Sequence, residues 1–153
     1  MMIVSACRVV PEYDVVPEIE FYTVKKIEKI YDNVFLSFKD SVIISIRFKD
    51  GDGDLGMDEN DRRSNPGVYN YVLHVDRKRN GTYVRDSTYY EQFQLLSPKS
   101  ATGPIDGILH NSKTFPYPFY FPNDTLRFSV TIYDRAGNRS NTVETPEVII
   151  RKQ

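Results

Sequence analysis

Leu126-Arg127-Phe128-Ser129-Val130-Thr131-Ile132-Tyr133 alternates apolar and polar side chains down to Ile132. Successive side chains of a strand point to opposite faces, so this run predicts a strand with one face buried and one wet. The same period recurs in Val42, Ile44, Ile46 and Phe48 against Ser45, Arg47 and Lys49, and in Tyr71, Leu73 and Val75 against His74 and Asp76. Weaker strand candidates cover 19–24, 34–38, 83–85, 89–96, 105–110 and 147–151. Asn80-Gly81 supplies the positive φ values of a tight hairpin turn. Helical period is almost absent, with 25–32 offering one or two turns at most. Short strands separated by Gly, Pro, Asn and Asp predict an all-β fold, an immunoglobulin-like antiparallel β-sandwich of about seven to nine strands. Two long connections, 50–68 and 97–125, stand out because loops of such length in a compact domain are uncommon and usually functional or disordered.

Composition narrows the function classes. The 153 residues make one domain the default. Lys plus Arg is 20 against Asp plus Glu 21, a net charge of -1, so no basic field exists to attract nucleic acid. A hydrophobic fraction of 40% with 11 Tyr and 9 Phe is enough to pack a core. No apolar run approaches the eighteen or so residues of a membrane-spanning helix. Two His, one Cys and no Trp leave few catalytic side chains. His74 falls on the outward face of a strand and His110 beside Asn111, so no nucleophile–base pair can be nominated and no enzyme is expected.

The sharpest chemistry lies in Asp50-Gly51-Asp52-Gly53-Asp54-Leu55-Gly56-Met57-Asp58-Glu59-Asn60-Asp61. Aspartates at alternate positions with glycines between them let the backbone curl and aim carboxylates at one point, which suits the hard oxygen ligation of calcium. With Asp50 as position one, Asp52, Asp54, Asp58 and Asp61 stand at the EF-hand positions three, five, nine and twelve. Leu55 replaces the EF-hand glycine, however, and Asp61 replaces its bidentate Glu. The alternative is a solvated acidic loop answered by Arg62 and Arg63. Asp134, opening the turn Asp134-Arg135-Ala136-Gly137-Asn138, is a further candidate. In an immunoglobulin-type sandwich the B–C and F–G connections share a pole. Taking 42–48 as B and 126–133 as F brings Asp134 beside Asp50, Asp52 and Asp54; equally, Asp134 is a turn-capping residue.

At the N-terminus Val4-Ser5-Ala6-Cys7 resembles the lipobox of bacterial lipoproteins, in which the Cys is lipidated. Only Met1, Met2 and Ile3 precede it, so an export signal requires a start farther upstream. The stretch 9–17, with Pro11, Glu12, Asp14 and Pro17, reads as a polar tether. The expected organisation is therefore a lipoprotein signal and tether over 1–17 and one sandwich over 18–153.

Taken together, the lipobox-like start, the tether, the run from Phe48 to Gly56 and the run from Ile132 to Ser140 resemble small surface lipoproteins of Gram-negative bacteria. Those proteins carry an immunoglobulin-like or cadherin-like sandwich. The resemblance implies an outer-membrane lipoprotein of the cell envelope, held to the membrane only through Cys7, with calcium as cofactor and no catalysis. It implies an adhesion or scaffold role toward a protein or polysaccharide. A carbohydrate-binding module using Phe115-Pro116-Tyr117-Pro118-Phe119-Tyr120-Phe121-Pro122 is the rival, against a structural role in which these aromatics cover the open end of the sandwich.

Overall fold

The computed structural model describes residues 11–117 and 123–151. In chain order the elements are β1 (Glu18–Asp32), β2 (Ser37–Asp50), α1 (Glu59–Ser64), β3 (Tyr71–Arg79), β4 (Thr82–Glu91), β5 (Ile105–Pro116), β6 (Asn123–Ile132), β7 (Val143–Glu144) and β8 (Val148–Arg151). They form two antiparallel sheets. One is ordered β1-β2-β5; the other is β4-β3-β6-β7, with β8 also paired to β6.

The three strong periodic runs supply the core, because each lies at the centre of a sheet and has one face to bury. Val42, Ile44 and Ile46 of β2, Leu73 and Val75 of β3, and Leu126, Phe128, Val130 and Ile132 of β6 are all fully buried. Ile19, Phe48, Tyr71, Val148 and Ile150 extend the same cluster. Each such side chain contributes roughly 1.5–3 kcal/mol by leaving water. Phe115 joins from the end of β5 and packs its ring 5.5 Å from that of Phe128, so an aromatic pair links the two sheets.

The hairpin between β3 and β4 turns at Asn80 (φ 50°) and Gly81 (φ 82°), the left-handed pair expected from Asn-Gly. On the far edge β7 and β8 follow one line along β6 but are interrupted at Pro146, which has no N–H to give. Thr145 keeps the edge closed: its N–H donates to the Phe128 carbonyl (2.9 Å), and its Oγ1 accepts from the Phe128 N–H (3.2 Å).

Edge elements depart from the sequence expectation. Residues 25–32 form no helical turn; β1 continues to Asp32, with its register slipping between Ile27 and Ile30. At the slip Lys29 adopts φ 58°, and its N–H turns to the Asp40 carboxylate and the Tyr117 hydroxyl. The strand expected over 34–38 is a turn at 33–36, which leaves Val34, Phe35 and Leu36 more than 70% exposed. The strand expected over 105–110 is present and continues to Pro116, so much of the connection expected over 97–125 is strand. β5 pairs with β2 from Lys39 to Asp50, and only its Phe115 is buried, so the period that would announce its second half is weak.

Candidate metal centre

β2 ends at Asp50, whose backbone is the last to pair with β5, opposite Ile105. The chain then has to double back beneath residues 13–14, and two glycines permit it. Gly51 donates its N–H to the Asp14 carbonyl at 2.8 Å, where a side chain would stand 2.4 Å from the Tyr13 oxygen. Gly53 takes φ 73° and passes so close to Gly103 that any Cβ would meet its carbonyl oxygen at 2.5 Å. Ser97 fastens the same point by donating to the Gly53 carbonyl at 2.7 Å. Leu55, in the place of the EF-hand glycine, is fully buried in the core. It anchors the loop and has no role in turning it.

The curl brings Asp50, Asp52 and Asp54 together, with one carboxylate oxygen of each within 4.8 Å of the others. Asp50 is fully buried and the other two are half-buried. Each has a buried Oδ1 with no hydrogen-bond partner among the described residues. The remaining oxygens are used locally: Asp50 Oδ2 accepts from the Asp54 N–H (3.0 Å) and Asp54 Oδ2 from the Ala136 N–H (3.0 Å). Unit charges at this spacing repel by roughly 3–4 kcal/mol per pair at an effective dielectric of 20. Burial, and then the charges of Asp52 and Asp54, accordingly push the Asp50 carboxyl up to about 6. Asp54 is raised as well, by burial first and then by Asp134 and Asp52. Orphaned buried oxygens converging from three carboxylates fit a divalent cation such as calcium, which takes six to eight oxygen ligands. Among the described residues no sulfur or imidazole joins them, which disfavours zinc and copper.

Asp134 does lie at this pole. Its backbone bridges Leu55, the Arg135 N–H donates to the Asp54 carbonyl, and its charge acts on both Asp50 and Asp54. Its own oxygens accept from the Asn138 N–H (2.7 Å) and Nδ2 (2.8 Å), so it also caps its turn. It is thus a turn-capping residue placed beside the three aspartates. Its carboxylate is not one of the three that converge.

Asp58 and Asp61 are placed elsewhere. Asp58 is the N-cap of α1, accepting from the Asp61 N–H at 2.7 Å, and both carboxylates clasp Lys99 (2.7 and 2.5 Å). Lys99 and that N–H hold the Asp58 carboxyl below its ordinary range. The EF-hand count therefore stops after position five, because residues 59–64 turn into a helix. Lys99 was not foreseen as the counter-ion, being far away in the chain. Arg62 and Arg63 do not take that place, and Arg63 pairs with Glu59. The capping signal itself was legible: Asp58 precedes Glu59 and Asp61, with Arg62 and Arg63 in the last turn.

No catalytic constellation exists among the described residues. His110 Nδ1 lies 2.7 Å from Ser45 Oγ, but that serine is buried beneath β1 and β5, and no carboxylate orients the ring. His74 pairs across the strands with Thr88. Cys7, the expected lipidation site, and residues 118–122 of the aromatic-proline run lie outside the described residues. Phe115 of that run is core, and Tyr117 packs partly against the core. No described helix is long and apolar enough to cross a membrane.

No protein-family model, no curated protein and no solved structure matches this chain. What the chain does must be argued from its two-sheet fold and its acidic centre.

Proposed function

We propose that this chain is a non-catalytic, calcium-stabilised module of the bacterial cell envelope, acting in adhesion or as a scaffold. Residues 18–153 would form the module, residues 1–17 the signal and tether, and Cys7 the lipid attachment of an outer-membrane lipoprotein. Calcium would be held by Asp50, Asp52 and Asp54, with Asp134 alongside. The carrying observation is the trio of buried Oδ1 atoms that no protein donor satisfies, an arrangement that opposes folding unless a cation neutralises it. The strand order supports the immunoglobulin-like reading. With β1, β2 and β5 as A, B and E, and β4, β3, β6 and β7/β8 as C′, C, F and G, the two sheets follow that pattern without a D strand.

The test is thermal unfolding in calcium and in chelator. Binding to the folded form alone adds about 2.7 kcal/mol at a hundred times Kd, a rise on the order of 5–10 °C for a domain of this size. Coincident melting curves would remove the cation from the proposal. The anchor has its own readout. Expressed from its full upstream reading frame in a Gram-negative host, the protein partitions into detergent, and Cys7→Ala releases it.

A further inference from the structure

Beside the acidic centre, on the side of β3 and β6, a cleft of about 360 Å³ opens between the β2–β3 connection and the 134–138 turn. That volume is in the range of small-ligand sites, roughly 300–1,000 Å³. Its wall carries Tyr69 and Tyr133, whose rings meet edge-on at 6.1 Å, and Tyr69 also rests against Tyr90 at 4.6 Å. Tyr69 is 40% exposed and Tyr90 59%, so both present ring surface to solvent. The hydroxyls of Tyr69 and Tyr133 have no hydrogen-bond partner among the described residues. Arg135 also lines the cleft. Its guanidinium makes no ion pair among the described residues, and its one side-chain hydrogen bond is from Nη1 to the Gly56 carbonyl at 3.3 Å.

An acceptor lines the cleft as well: Asn65 uses only its Nδ2, on the Asp61 carbonyl, which leaves Oδ1 open. A guanidinium donor and an amide acceptor in one cleft match a ligand whose groups both donate and accept, as hydroxyls do. Charge is balanced there, since Lys99 answers Asp61 and Arg135 is next to Asp134, which leaves no surplus to attract an ion. Rigid tyrosine faces suit a flat, amphipathic partner at little entropic cost.

We infer that this cleft is a binding site for a neutral glycan, with Tyr69 and Tyr133 packing against a sugar ring and Arg135 and Asn65 reading its hydroxyls. The inference goes beyond the calcium reading and does not rest on it. The site is separate from Phe115 and Pro116, which end β5 in the opposite sheet.

Affinity electrophoresis in calcium through gels holding hydroxyethylcellulose, xylan or galactomannan, with polygalacturonate as the anionic control, tests it. At least one neutral polysaccharide is expected to retard the protein. Tyr69→Ala and Arg135→Gln each weaken that retardation tenfold or more, while Tyr69→Phe, which keeps the ring, stays within threefold. Should Tyr69→Ala fail to fold, Tyr90→Ala removes the supporting ring from an exposed position and also weakens binding. Retardation by polygalacturonate alone, by none of the polysaccharides, or undiminished in Tyr69→Ala overturns the inference. The calcium-dependent rise in melting temperature of Tyr69→Ala is measured in parallel: its absence in the wild type counts against the metal, its presence without retardation against the glycan site.

Discussion

Asp52 separates the cation from the fold most cleanly, because it is half-buried and carries no hydrogen bond that the loop needs. Asp52→Asn is expected to be neutral or mildly stabilising in chelator, where it removes repulsion, and destabilising in saturating calcium, where it removes a ligand. Melting curves in both conditions show the sign reversal. Asp58→Asn provides the contrast: it weakens the cap of α1 and the clasp on Lys99, so it lowers the melting temperature by the same amount with and without calcium. Asp50 adds a pH signature to the calcium-free protein. Its carboxyl rises from 3.8 in the unfolded chain to about 6 in the fold. The contribution of Asp50 to stability is therefore greatest below pH 4, where both states are protonated, and is lost as pH rises through 6. In chelator the protein melts a few degrees higher at pH 5 than at pH 7. In calcium, which needs the ionised form, the metal-dependent rise grows over the same interval.

Legibility differed from element to element, for a physical reason. β2, β3 and β6 each have neighbours on both sides and one face on the core, so burial imposed the period of two that 42–48, 71–75 and 126–132 display. β1 and β5 are edges of the smaller sheet. Most of β1 beyond Val24 is exposed or half-buried on both faces. The inward face of β5 mixes Ile105, Leu109 and Phe115 with Gly107, Asn111 and Lys113, so neither strand carries a sustained apolar period. The acidic loop was legible as far as Asp54, because alternate glycines leave a local mark. Its continuation was not, since Lys99, which clasps Asp58 and Asp61, comes from elsewhere in the chain. The opposite error arose at 33–36, where Val34-Phe35-Leu36 has the composition of a strand and none of its burial. The turn is held instead by Asp32, whose Oδ1 accepts the N–H groups of Val34 (2.9 Å) and Phe35 (3.2 Å). Phe35→Ser should consequently change stability by no more than about 0.5 kcal/mol by denaturant unfolding. Phe128→Ala, of the same residue type but fully buried, should cost about 3–5 kcal/mol.

At the scale of the whole molecule, the two sheets have no disulfide to hold them among the described residues, and their union depends on packing at separated points. Leu55 closes the acidic pole and Phe115 lies far along the sandwich. Register makes the separation measurable, for Phe115 pairs with Asp40 and Ile105 with Asp50 at the two ends of the same ladder. Ten residues of strand at about 3.3 Å each place the ends on the order of 33 Å apart. Effects at sites so distant, with no shared partners, add to within a few tenths of a kcal/mol. Phe115→Ala leaves a cavity against Phe128 and should cost about 3–5 kcal/mol, lowering the melting temperature by roughly 6–20 °C. The calcium-dependent rise should nevertheless survive at its wild-type size, because that end of the sandwich touches neither the aspartates nor the glycines that gather them. If Phe115→Ala melted at one temperature with and without calcium while the wild type did not, the acidic centre would depend on the far end of the sandwich. The convergence of Asp50, Asp52 and Asp54 would then be a property of the closed sandwich rather than of the loop's own glycines.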